Sequence, residues 1–242
     1  MPSLDACLQA IDAACVTPLS FSSTAYLMYD LGKRVDMDKA KLSSSDRNEV
    51  VNRAEKMVHM LLGFSSSISK LPPSTRSAAA TAAPVQQLNS ARLSQLSWAL
   101  SALVGFEQRV MSTDARQLCY ALAERAAQPG VMESKADMAC RSWAGVLYGL
   151  SRPGVKCSDD SRVQQAFTAA IEQQLPSLHL AKQRCIAQDL SMTAVACRNA
   201  GFEGDNAAFY LSGGRQGGRS QHGWGGWGHH GKGLPTGLGK PY

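Results

Sequence analysis

Aromatic residues make up only 7% of this 242-residue chain, while Ala, Leu and Ser are plentiful. Scarce rings favour packed helices over a β-sandwich. No apolar run reaches the roughly 18 residues that a membrane-spanning helix needs, so no membrane partner is expected. Seven cysteines lie at positions 7, 15, 119, 140, 157, 185 and 197, and no two are spaced C-x-x-C. That excludes a zinc ribbon and a thioredoxin-type dithiol. Several of these thiols fall on apolar helix faces as small core hydrophobes, and a reducing compartment is expected.

Catalytic signatures are missing too. The chain has no phosphate loop, no dinucleotide glycine fingerprint, no H-E-x-x-H and no nucleophile elbow. Outside the C-terminal tail the histidines are His59 and His179, and neither Cys140 nor Cys197 has an evident partner base. His222, His229 and His230 sit in a glycine tract without the fixed geometry a metal needs. The expectation is a non-enzyme with no cofactor and no metal site.

What is present is a basic, helix-rich chain. A net charge of +6 and a pI near 9.0 point mildly toward a polyanionic partner. Ser3 is placed to cap a helix carrying Leu4, Leu8, Ile11 and Cys15, ended by Pro18. A second helix is expected from Ser20 to Leu31, stopping at Gly32 as a left-handed C-terminal residue. A third starts at Ser45 or Asp46 and closes at Gly63. Residues 65–90, rich in Ser, Ala and Pro, read as a linker or long loop. Helices follow at 91–105, after Ser112 or Thr113 until Gln128-Pro129-Gly130, up to Arg152-Pro153-Gly154, after Asp159, Asp160 or Ser161, and at 181–200. The organisation is therefore 1–64 helical, 65–90 linker, 91–211 helical, and 212–242 a disordered Gly-rich tail.

One frame recurs through the helices. RLSQLSWALSALVGF, DMACRSWAGVLYGL, SFSSTAYLMYDLGK and DLSMTAVACRNAGF each place a bulky residue ahead of an Ala/Leu-rich turn near Gly. With a weaker copy in NRAEKMVHMLLGF, the central residues are Tyr26, Met57, Trp98, Trp143 and Val195, at intervals of 31, 41, 45 and 52 residues. Recurrence at this scale predicts an all-α solenoid of about five degenerate two-helix repeats.

The run Leu93, Trp98, Ala99, Leu100, Leu103 and Gly105 resembles the octotricopeptide repeat of organellar RNA-processing and translation factors. Met138, Trp143, Ala144 and Gly149 fit the same frame, as do Phe21, Tyr26, Leu31 and Gly32, and Leu190, Val195, Ala196 and Gly201. The resemblance spans roughly residues 3–205 and implies single-stranded RNA binding in a chloroplast or mitochondrion, in RNA maturation, stability or translation. Only two copies keep Trp, and no RAP-type domain is visible. No transit peptide is visible either: the first basic residue is Lys33, and Asp5, Asp12 and Asp30 precede it. A truncated or incomplete family member is expected. The alternative is a protein–protein scaffold or a structural component of a ribonucleoprotein or ribosome.

Within the frame, Leu93, Leu96, Leu100 and Leu103 are expected in the core, with Trp98 and Trp143 as packing residues. The polar residues left over, Ser94 and Gln95 with their counterparts Arg53, Arg141, Arg198 and Asn199, form the candidate RNA-reading face. In the tail, Arg215 and Arg219, with Trp224 and Trp227 nearby, are candidates for weak, non-selective RNA attraction.

Overall fold

The computed structural model describes residues 3–17, 20–63, 84–132, 136–175 and 187–207, and among these it is helical without strands. Eight α-helices form: α1 (Leu4–Val16), α2 (Phe21–Asp38), α3 (Ser44–Leu61), α4 (Ser90–Phe106), α5 (Thr113–Ala127), α6 (Ala136–Ser151), α7 (Ser161–Thr168) and α8 (Ala187–Ala200). Short 3-10 turns occupy Pro84–Gln87 and Gln108–Val110, and α7 continues through Ala169–Gln174 as a π-helical turn. The expected tail at 212–242 and most of the expected linker lie outside the described residues.

Polar caps start most of these helices. The side chains of Ser3, Ser20, Ser43, Asn89, Ser112 and Asp160 each accept a hydrogen bond from a backbone N–H two or three residues on. Ser43 and Asp46 close a full capping box, so α3 begins slightly earlier than the sequence suggested. Gly63 takes φ 78° after α3, the left-handed turn expected of a helix end.

The helices pack in two rows. In one row α2 lies on α4, α4 on α6 and α6 on α8; in the other α1 lies on α3, α3 on α5 and α5 on α7. The core lies between them. Leu93, Leu96, Leu100 and Leu103 of α4 are all buried, as expected, with Val50, Ala54, Met57 and Leu61 of α3 and Leu118 and Leu122 of α5. Trp143 is fully buried, and its indole N–H donates to Gln174 Oε1 at 2.8 Å, tying α6 to the π turn beyond α7.

Small residues set the spacing within the first row. Ser90, Ser94, Ser97 and Ser101 recur at steps of four and three along α4, and all four are buried. Gly145 and Gly149 of α6 lie against Ser94 and Ser97. On the other flank of α4, a Cβ on Gly32 would lie 3.0 Å from Ala99 Cα. Such contacts bring helix axes to the short end of the usual 8–10 Å separation. They also explain why α4 is apolar or small around most of its circumference, since it is covered on three sides.

Three expectations are corrected here. Helix α2 does not stop at Gly32 but runs to Asp38; Gly32 is there for the approach of α4, not as a cap. The weak copy centred on Met57 lies in α3, in the other row, so the row holding the frame contains four described helices rather than five. Cys7, Cys119, Cys157 and Cys197 are buried free thiols as expected, but Cys140 is disulfide-bonded.

The serine–glycine seam makes a sharp stability test. A Cβ on Gly149 would overlap the backbone carbonyl carbon of Ser97, whereas one on Gly145 meets chiefly the Ser94 hydroxyl, which can rotate away. Gly149→Ala is expected to destabilise by about 2 kcal/mol despite the helix propensity it gains, and Gly145→Ala by less. The midpoints of urea denaturation of the two variants check that order.

Candidate nucleic-acid interface

Each helix of the first row leaves one stripe uncovered by its neighbours. On α2 the stripe carries Ser23, Tyr26, Asp30 and Lys33; on α4, Arg92, Gln95 and Trp98. On α6 it carries Arg141 and Tyr148, followed by Arg152 past the helix end, and on α8, Ser191, Val195 and Arg198. Tyr26 is 44% exposed and Val195 41%. The frame's central residue thus faces outward on α2 and α8, while Trp98 of α4 is partly buried against the core and Trp143 of α6 is fully buried.

Aromatic rings and cations are interleaved on this side of the row, where Tyr26 is exposed, Trp98 and Tyr148 are partly buried and Tyr29 lies buried beneath. Tyr29 and Trp98 meet edge to face with centroids 5.5 Å apart, joining α2 to α4. The Lys33 ammonium stands 5.2 Å from the Tyr29 centroid, the Arg92 guanidinium 4.9 Å from Tyr26, and the Arg152 guanidinium 5.9 Å from Tyr148. Arg92 Nη1 also donates to Gln95 Oε1 at 2.6 Å. Such cation–π contacts hold a charge in place without cancelling it.

Ion pairs are more frequent in the second row, where Arg162 also lies over the Tyr120 ring at 5.2 Å; in the first row Arg34 of α2 pairs with Asp38. Arg53 pairs with Asp12 at 2.9 Å and with Glu49 at 3.7 Å, and Lys56 shares Asp12 at 3.1 Å. Arg116 pairs with Asp159, and Arg162 with Asp160 and Glu124. The hydrogen bonds from Lys56 and Arg53 hold the Asp12 carboxyl below its usual range. Cations matched to carboxylates in this way have little left for phosphate.

Asp30 is the acid on the open face. Burial raises its pKa, while Lys33 and Arg92 pull it back down. Elsewhere, burial pushes the thiols of Cys119, Cys157 and Cys197 up to about 12, so they stay protonated and poorly nucleophilic at neutral pH. No group of three metal-ligating side chains comes together among the described residues, and none of their helices is long and apolar enough to cross a membrane. A pocket of about 280 Å³ between α5 and α7 is lined by Ala127, Gln164, Gln165, Thr168, Ala169 and Gln173, with no charge to hold an anion.

The sequence candidates divide sharply. Gln95, Arg141, Arg198 and Asn199 all retain exposure on the first row. Ser94 does not belong with them: it is buried against Gly145 in the α4–α6 seam, and Ser101 is buried beside it. Arg53 lies in the other row within its carboxylate network. Arg215 and Arg219 lie outside the described residues. Sequence reasoning missed Tyr26, Tyr29, Lys33, Arg92, Tyr148 and Arg152 as members of one face. The signal was the 3–4 spacing of Tyr26, Tyr29 and Lys33, and of Arg92, Gln95 and Trp98, read around the outward side of each helix.

Asp30 yields a prediction with a definite sign. Because its folded pKa is raised, the ionised form weakens the fold; that penalty is absent below the unfolded carboxylate range and grows as pH rises through the folded value. Asp30→Asn is expected to raise the urea midpoint at pH 7 and to leave it unchanged near pH 3. No protein-family model, curated protein or solved structure matches the chain.

Proposed function

We propose that the chain is a non-catalytic α-solenoid of degenerate two-helix repeats that binds single-stranded RNA along the open face of α2, α4, α6 and α8. The observation that carries this reading is the set of arginines lying over tyrosine rings along the open face. Arg92 and Arg152 lie over tyrosines and enter no ion pair among the described residues, whereas Arg53 and Arg116 of the other row are matched to carboxylates. Cations set beside tyrosine rings, with Tyr26 exposed, suit a strand whose bases are unstacked and whose phosphates need neutralising. A duplex, with its bases stacked inside, would leave the exposed Tyr26 ring unused.

The resemblance of the frame to octotricopeptide repeats supports the same reading and extends it to RNA maturation, stability or translation in a chloroplast or mitochondrion. In this scheme the Gly-rich tail, with Arg215 and Arg219, adds attraction without selectivity.

The test is electrostatic. Engagement of Arg92, Arg141, Arg152 and Arg198 by phosphates predicts that log affinity for a single-stranded oligoribonucleotide falls against log salt with a slope of magnitude about 3. Arg92→Ala and Arg198→Ala should each reduce that slope by about 0.7, and Arg53→Ala should leave it unchanged. Failure to bind any oligoribonucleotide at low salt would overturn the reading in favour of a protein-binding scaffold, the rival that the same fold would serve.

A further inference from the structure

We propose that the Tyr26–Arg92–Gln95 cluster at the α2–α4 junction is a single-base site that selects nucleobases presenting carbonyl acceptors, uracil or guanine, over those presenting an amino edge. The proposal rests on the RNA-binding reading of the open face and adds a chemical selectivity to it.

The cluster has a ring and a rim. Tyr26, 44% exposed, is the ring. A base stacked there gains affinity whatever its identity, because every base has a π-face. The Arg92 guanidinium lies over one side of that ring, 4.9 Å from its centroid, and the rim is the Gln95 side chain, joined to Arg92 through Oε1 and Nη1. Arginine has donors and no acceptor, so this hydrogen bond fixes the Gln95 amide with its oxygen toward Arg92 and its NH2 group left over. Neither that NH2 nor the remaining Arg92 guanidinium N–H groups have another hydrogen-bond partner among the described residues, while the Arg92 backbone N–H donates to Asn89 Oδ1.

The rim therefore offers N–H donors beside the ring. A uracil or guanine carbonyl completes a hydrogen bond there, whereas the amino group of cytosine or adenine opposes donor to donor. The edge-on contact of Tyr29 with Trp98, 5.5 Å between centroids, braces the two helices that carry ring and rim. Lys33, over Tyr29, lies one turn further along α2 for a neighbouring phosphate. Asp30 is the acidic group interacting with Arg92 and Lys33.

The experiment measures binding of labelled 12-mer oligouridylate, oligocytidylate and oligoadenylate to the full chain by fluorescence anisotropy, with circular dichroism of each variant to verify its fold. Wild-type protein is expected to bind the uridylate about fivefold more tightly than the cytidylate, the weight of one hydrogen bond. Gln95→Ala should abolish that ratio, and Gln95→Glu, an acceptor, should move it toward the cytidylate. Tyr26→Ala should weaken all three by about tenfold at constant ratio. Equal binding of uridylate and cytidylate by the wild type, or a preference that survives Gln95→Ala, overturns the base site while leaving RNA binding in place. Absence of binding to all three overturns both.

Discussion

The fold depends on how closely α4 and α6 approach. Their contact is made by Ser94 and Ser97 against Gly145 and Gly149, with almost no side-chain volume between the two backbones. Dispersion and exclusion of water do the work that large apolar side chains do in an ordinary helix pair. A consequence is that the leucines of α4 are free to point toward α3 and α5, because the flanks of the helix need none of them. The two rows are two different solutions to packing. Along the first row the joints are backbone against backbone, and between the rows they are Leu, Met, Val and Trp in a conventional core.

That division explains how much of the molecule was legible in the sequence. The leucine stripe at 93, 96, 100 and 103 announced the core because large apolar residues at helical spacing have one ready explanation. Polar caps followed by periodic segments placed most helix boundaries within a few residues. Small residues carry no such sign. Gly32 read as a helix end because glycine usually is one there, and only the position of Ala99 on another helix shows it to be a point of contact. Ser94 read as part of an outward polar face because serine is usually exposed; in a seam this tight its size outweighs its polarity, and Ser101, buried on the same helix, donates its hydroxyl to the Trp98 carbonyl at 2.8 Å.

The same limit applied to the candidate interface. A cation's availability depends on which acids come near it, and those acids are distant in sequence: Asp12 reaches Arg53 across 41 residues. Gln95, Arg141 and Arg198 were found because helical periodicity alone puts them on an outward side. Arg53 was drawn in by its place in a frame-like segment, which the fold assigns to the other row. The frame recorded a rhythm of sequence more faithfully than an orientation in space. It leaves Tyr26 and Val195 toward solvent, packs Trp98 partly against the core and rotates Trp143 into the interior.

The π turn after α7 shows rhythm and geometry being brought back into agreement. Val163, Phe167, Ile171 and Leu175 recur every four residues, and all four are buried. In a regular α-helix a four-residue step overshoots a full turn by about 40°, so over three steps the last side chain would swing about 120° from the first. Widening the backbone over Ala169–Gln174 takes up that excess. The helix thereby unwinds slightly instead of exposing Leu175, and the turn is kept loose by where its hydrophobic side chains must point.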